Sequence, residues 1–191
     1  MANHDEPVIQ NTHSAPGENG GGIKTVLAGY TGNVEWYTPA KWIEMARMAM
    51  GTIDVDPASC AMAQRTVNAA EWYDQERDGL KHDWPGNVWL NPPYARGLIE
   101  EFIDRLVAQF QSGITKQAVV LVDNRTDTRW FHALCSMATA VAFTKGRVNF
   151  YNESVDSSSP ANGSVFVYLG QDWASFKKAF ADDCLILANL G

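Results

Sequence analysis

The chain has 191 residues, 46% hydrophobic and 11% aromatic, which suits one domain with a substantial core. Its net charge of −7 argues against a protein that simply coats nucleic acid, because phosphate contacts come from lysine and arginine. No apolar run approaches the roughly 20 residues of a membrane span, and the first eighteen residues carry no apolar signal segment. Cys60, Cys135 and Cys184 lie far apart, in neither a zinc nor a disulfide pattern, so the expected setting is a reducing cytoplasm. His4, His13, His82 and His132 form no ligand cluster, and no metal is expected. The charge is uneven. Asp54 to Asp83 holds seven acids against three bases, and Arg125 to Tyr151 holds four bases against one acid. One part could face a cation and the other a polyanion, although ordinary solvated faces would give the same counts.

Residues 1–33 are rich in Gly, Asn, His, Ser and Pro, including Gly20-Gly21-Gly22, and are expected to form a loosely attached tail before a domain spanning 34–191. Thr38-Pro39 predicts a helix start, with Thr38 as cap, running through Ala40 to Met48. Thr52 to Asp56 reads as a short strand stopped by Pro57, and Asn87 to Leu90 as a second, stopped by Pro92-Pro93. Leu98, Ile99, Phe102, Ile103, Leu106, Val107 and Phe110 recur with helical period. Ala118 to Val122 is a continuous apolar run, as in a strand covered on both faces. A helix over Thr128 to Met137, a strand over Thr139 to Phe143, a strand over Gly163 to Leu169 and a helix over Asp172 to Ala181 complete the pattern. Alternating strands and helices imply an α/β sheet, whose ligands bind beyond the carboxyl ends of the strands. Asp54, Asp56, Asn91 and Asp123 all fall at predicted strand ends.

Asn91-Pro92-Pro93-Tyr94, directly after a strand, is the sharpest feature. Two prolines fix φ and remove two backbone donors, and Asn91, preceding a proline, is held extended. The stiff loop offers two acceptors, the Asn91 carboxamide oxygen and the Pro92 carbonyl, beside an aromatic ring. Two acceptors suit an amine with two hydrogens. An aryl amine is a poor nucleophile because its lone pair is delocalised; accepting both N–H bonds localises that pair and aims it at a methyl donor. Tyr94 can stack on a base face. A rigid turn with a packing tyrosine would carry the same four residues.

Asn-Pro-Pro-Tyr in this context resembles the catalytic motif of amino-group methyltransferases, and the wider set is similar to the phage N-6-adenine DNA methyltransferase family of Dam type. The supporting pieces are Trp36-Tyr37-Thr38-Pro39, Asp54-Val55-Asp56-Pro57-Ala58-Ser59, Asp78-Gly79-Leu80, Asp83-Trp84, Arg125 to Trp130 and Gly146 to Phe150, in that order. The resemblance implies a Rossmann-like fold that binds S-adenosylmethionine and methylates adenine N6 in double-stranded DNA. Asn91, Pro92, Pro93 and Tyr94 would be catalytic. Asp54, Asp56, Pro57 and Ala58 would form the first cofactor segment, Asp78 or Asp83 would receive the cofactor's adenine amine, and Trp36, Tyr37 and Thr38 would close over its methionine part. Arg125, Asp127, Arg129 and Trp130 would contact phosphate and support base flipping. Lys145 and Arg147 would add DNA contacts, and Phe150 would close the base pocket opposite Tyr94. Pro57-Ala58-Ser59-Cys60 stands where a glycine-rich loop is expected, and only about thirty residues separate Asp56 from Asn87, so the sheet should be abbreviated. The same four-residue motif would also serve RNA or a protein glutamine, and a non-catalytic module could keep the fold to bind DNA or a partner.

Overall fold

The structure is a computed structural model. It describes residues 36–95, 97–152, 155–158 and 160–189, the stretch 155–158 by its backbone alone. The expected tail, residues 1–33, lies outside the described residues. Those residues contain nine strands and five helices. The strands are β1 (Val55–Asp56), β2 (Glu71–Trp72), β3 (Gly86–Leu90), β4 (Thr115–Asp123), β5 (Ala140–Thr144), β6 (Phe150–Asn152), β7 (Val155–Ser158), β8 (Ser164–Leu169) and β9 (Cys184–Ala188). The helices are α1 (Ala40–Met50), α2 (Ala61–Val67), α3 (Leu98–Gln111), α4 (Arg129–Ser136) and α5 (Trp173–Phe180).

Seven strands form one sheet in the order β2-β1-β3-β4-β8-β5-β9, and β6 and β7 form a separate hairpin. The half from β2 to β4 is parallel; β8 runs antiparallel to both β4 and β5, and β9 antiparallel to β5. Period-2 alternation sorts the apolar runs to two faces. Val88, Leu90, Val120, Val122, Val165 and Val167 pack against α3 and α4 through Phe102, Ile103, Leu106, Phe131 and Leu134. Trp89, Val119, Leu121, Phe166 and Tyr168 pack against α1 and α5 through Ile43, Met50, Phe176 and Phe180. Continuous apolar strands and one-sided helices therefore give three layers, the expected Rossmann-like α/β arrangement.

The abbreviation falls where the short spacing placed it. Between Asp56 and Gly86 the chain supplies α2, the two-residue strand β2 and a single 3-10 turn at Gly79–Lys81. Neither α2 nor β2 is legible as a hydrophobic period, since α2 spans about two helical turns and β2 a single alternation. β9, which closes the other edge, was also unexpected.

One local expectation needs correction. Pro39, not Thr38, occupies the cap position of α1, and no side chain caps that helix. Thr38 is buried and its hydroxyl is engaged elsewhere, by Asn91. Two other helices do have side-chain caps: Thr128 Oγ accepts from Phe131 N (3.4 Å) and Asp172 Oδ1 from Ser175 N (3.1 Å).

Candidate active site

Asn91 leaves the carboxyl end of β3 and Pro92 is buried behind it. The Asn91 amide nitrogen donates to Thr38 Oγ at 3.3 Å, which fixes the carboxamide plane. Its oxygen, Oδ1, is buried and has no hydrogen-bond partner. A buried acceptor left empty costs roughly 1–3 kcal/mol, so it stands out where the other buried side-chain polar atoms among the described residues are satisfied. Tyr94 is 43% exposed, yet its hydroxyl accepts from Asp123 N at 3.0 Å. The ring is tethered at its tip and bare on its side. Burial of the hydroxyl, with the Asp123 carboxylate nearby, pushes the phenol pKa well above its usual range, so Tyr94 stays neutral.

The segment before α1 closes on this loop. Tyr37 bridges Tyr151 in both directions, N to O at 2.8 Å and 3.2 Å, with the two rings edge to face at 5.5 Å. The Tyr151 hydroxyl lies 3.2 Å from Thr66 Oγ on α2. This pairing holds Thr38 against Asn91, and Trp36, half-buried, directly precedes the bridge.

The two aspartates flanking Val55 part company. β1 pairs with β3 through Val55 and Val88, so Pro57 and Ala58 leave the sheet beside Leu90 and Asn91. Asp56 is buried at that end. Its carboxylate accepts from Gln64 Nε2 (2.8 Å) and Ala58 N (3.4 Å), and burial raises its pKa to about 7 against the lowering effect of those bonds. Asp54 lies at the opposite, amino end. It accepts from Asn87 N (2.8 Å) and Thr52 Oγ (2.9 Å), and its side chain packs where a side chain at Gly86, φ +80°, would have to sit. The structure therefore does not bring Asp54 together with Asn91. A period-2 strand reading cannot see this, because both residues project from the same short strand.

Asp78 and Asp83 separate in the same way. Gly79 packs so tightly on the Pro57 carbonyl that a side chain there would collide with it, and Trp84 Nε1 donates to Gly79 O at 2.8 Å. Asp78 thus sits against the Pro57 loop, its carboxylate accepting from Leu80 N (3.2 Å) and pairing with Lys81 (3.1 Å). Asp83 instead meets Arg105 (3.5 Å) and Gln109 (3.3 Å), residues late in α3 near the amino ends of the strands. Sequence reasoning missed Gln64, which ties Asp56, Ser59 and the Ala69 amide together; a lone glutamine on a seven-residue helix gives no signal.

Arg125, Asp127 and Arg129 are exposed beyond β4, with no ion pair among the described residues. Trp130 is a correction: it is buried, edge to face with Phe131 at 5.7 Å, as part of the core under α4. Lys145 is another. Its ammonium donates to the Asp182 and Ala181 carbonyls (3.0 and 3.4 Å) at the end of α5, where helix carbonyls lack partners. Phe150 packs, partly buried, against the core on the α1 and α5 side. Arg147 is exposed. Among the described residues no group of three His, Cys, Asp or Glu could hold a metal ion, and no helix is long and apolar enough to cross a membrane.

A sequence model of the DNA N-6-adenine-methyltransferase (Dam) family matches residues 31–183. The chain belongs to this family. It is also 32% identical over 136 residues to a DNA N-6-adenine-methyltransferase of Escherichia phage T1, covering 70% of this chain and 53% of that one. The chain thus spans about half the length of this curated relative. The matched family region includes every part of the site above, from Trp36 to the β8 edge.

Proposed function

We propose that this chain is an S-adenosylmethionine-dependent methyltransferase that modifies the N6 amine of adenine turned out of double-stranded DNA in the host cytoplasm. The observation that carries the reading is the buried Asn91 Oδ1: an acceptor held in place through its own amide and left empty. In this reading Asn91 Oδ1 and the Pro92 carbonyl accept the two N6 hydrogens, and the Tyr94 ring supports the base on its bare side. The two acceptors localise the amine lone pair for attack, and the proton that the methylated nitrogen sheds passes to solvent water. No strong base is required, since the charge develops against prealigned dipoles. Thr38 is a positioning residue that sets the Asn91 rotation.

The residues beside Asn91 fit the cofactor's chemistry. S-adenosylmethionine is cationic at sulfur and rich in donors, and the loop cluster of Asp56, Pro57, Ala58 and Asp78 offers carboxylates and carbonyls at the correct end of the sheet. That cofactor, when bound, supplies the methyl group. Trp36 and Tyr37 would cover it from the segment that carries Thr38. Asp54 and Asp83 lie at the other end of the strands and are left out of the proposed pocket. Arg125, Arg129 and Arg147 would meet DNA phosphates, with Asp127 shaping that loop. Residues 1–33 would be a tail outside the catalytic domain.

The test offers duplex DNA, RNA and a glutamine-bearing protein with labelled cofactor, then maps the products. N6-methyladenine in the duplex is expected. Transfer only to RNA or protein, or cofactor binding without transfer to any of the three, overturns the reading. Target recognition should be short or relaxed, because one of the two candidate reading loops, Lys145 to Ser159, runs into Ser157-Ser158-Ser159-Pro160, a stretch without the Arg, Asn and Gln that pair with bases; a strict consensus of five or more base pairs would contradict that.

A further inference from the structure

Two strands beyond the catalytic loop, an open cleft of about 250 Å³ lies between the carboxyl ends of β4 and β5 and the start of β8, lined among others by Asn124, Phe143, Thr144, Arg147 and Gly163. Three main-chain oxygens at this cleft are already committed. Gly163 O accepts from Asn124 N (3.0 Å), and the Gly146 and Ser164 carbonyls lie 2.7 and 3.1 Å from Thr144 Oγ, which donates between them. The Asp123 carboxylate, next to Asn124 in the chain, accepts from Asn162 Nδ2 at 2.9 Å. The donors are free. Neither the Asn124 amide nor the Arg147 guanidinium has a hydrogen bond or ion pair among the described residues. They converge, since a methyl group at position 163 would lie 2.9 Å from Asn124 Nδ2 and 3.4 Å from Arg147 Nη1. Gly163 keeps the floor open between them.

A cleft whose named carbonyls and carboxylate are engaged, and whose amide and guanidinium N–H groups are unpaired, suits a group with two acceptor oxygens. Its position says which one. Asn124 follows Asp123, whose amide tethers Tyr94, and adjacent strands are about 5 Å apart. We infer that Asn124 and Arg147 clamp a backbone phosphodiester of the target strand next to the adenine held at Tyr94, anchoring the strand while the base is turned out. The inference rests on the proposed DNA substrate. A guanine edge also presents two acceptors, O6 and N7, and the experiment separates it from a phosphate.

Binding of the full chain to a duplex carrying one adenine is followed by fluorescence anisotropy, a readout that does not depend on methyl transfer. Asn124→Ala with Arg147→Ala should weaken binding about tenfold in every flanking sequence and lower the slope of log affinity against log salt by about one. An uncharged methylphosphonate at the step on one side of the adenine should weaken the wild type similarly and leave the double variant unaffected. Loss confined to duplexes with a neighbouring guanine would overturn the phosphate assignment in favour of base reading. Unchanged binding by the double variant would overturn the clamp. A wild type that binds DNA but transfers no methyl group would defeat the proposed reaction while leaving the clamp standing.

Discussion

The two ends of the β1–β3 strand pair are built from similar residues and finished differently. At the amino end, Asp54, Asn87, Thr52 and Gln117 form a closed set: Asp54 takes two donors, while Asn87 Nδ2 donates to Met50 O (3.1 Å) and Thr52 Oγ (2.8 Å) and its oxygen accepts from Gln117 (3.1 Å). At the carboxyl end, Asn91 uses its nitrogen and leaves its oxygen empty, Tyr94 uses its hydroxyl and leaves its ring bare, and Arg125 and Arg147 have no ion pair among the described residues. Asn87 lies in β3 and Asn91 directly follows its last residue, four positions on, yet only Asn91 retains an unused buried acceptor. A complete network stabilises the fold, and an incomplete one that the fold still tolerates marks where another molecule completes it.

The contrast is sharpest at Asn91. Asn91→Ala should lower the methyl-transfer rate by about 10² to 10³-fold with cofactor affinity and melting temperature nearly unchanged. Turnover within a few-fold of wild type would remove Asn91 from the reaction. Asp56 offers a test through pH. Its folded pKa, about 7, lies above the unfolded 3.8, so the folded state holds a proton the unfolded chain has released. Its stabilising contribution is full below about pH 4 and lost as the pH rises through 7. Wild type should therefore lose about 2 kcal/mol between pH 5.5 and 7 relative to Asp56→Asn, read from denaturant midpoints at each pH. Parallel curves for the two proteins would show that burial does not govern this carboxyl.

Thr38→Val keeps the volume but removes the partner of the Asn91 amide. The expected result is about a tenfold fall in kcat with KM for DNA little changed, and recovery in Thr38→Ser. If serine fails to restore kcat, the hydroxyl is not what orients Asn91. The smallest effect probes the closed end. Asp54→Ala should cost about 1 kcal/mol of stability and leave S-adenosylmethionine affinity unaltered, whereas Asp78→Ala should weaken that affinity. Calorimetry showing weaker cofactor binding in the Asp54 variant alone would reverse the division between the two ends.

The sequence by itself determined the elements whose chemistry is local. The Asn91-Pro92-Pro93-Tyr94 loop was legible because two prolines dictate its backbone whatever surrounds it. The apolar runs in β4 and β8 and the helical period of α3 were legible because burial on two faces or on one stripe writes itself into composition. Tertiary structure alone decided which acids share the site, since Asp54 and Asp56 differ only in which end of β3 each meets, and Asp78 and Asp83 only in whether a neighbour packs on Pro57 or on α3. It alone moved Thr38 from a helix cap to Asn91 and Lys145 from a DNA contact to the end of α5. The physical reason is that a polar side chain commits to the nearest complementary group in space, and that neighbour sits far away in the chain: 53 residues for Thr38 and Asn91, and 37 for Lys145 and Asp182.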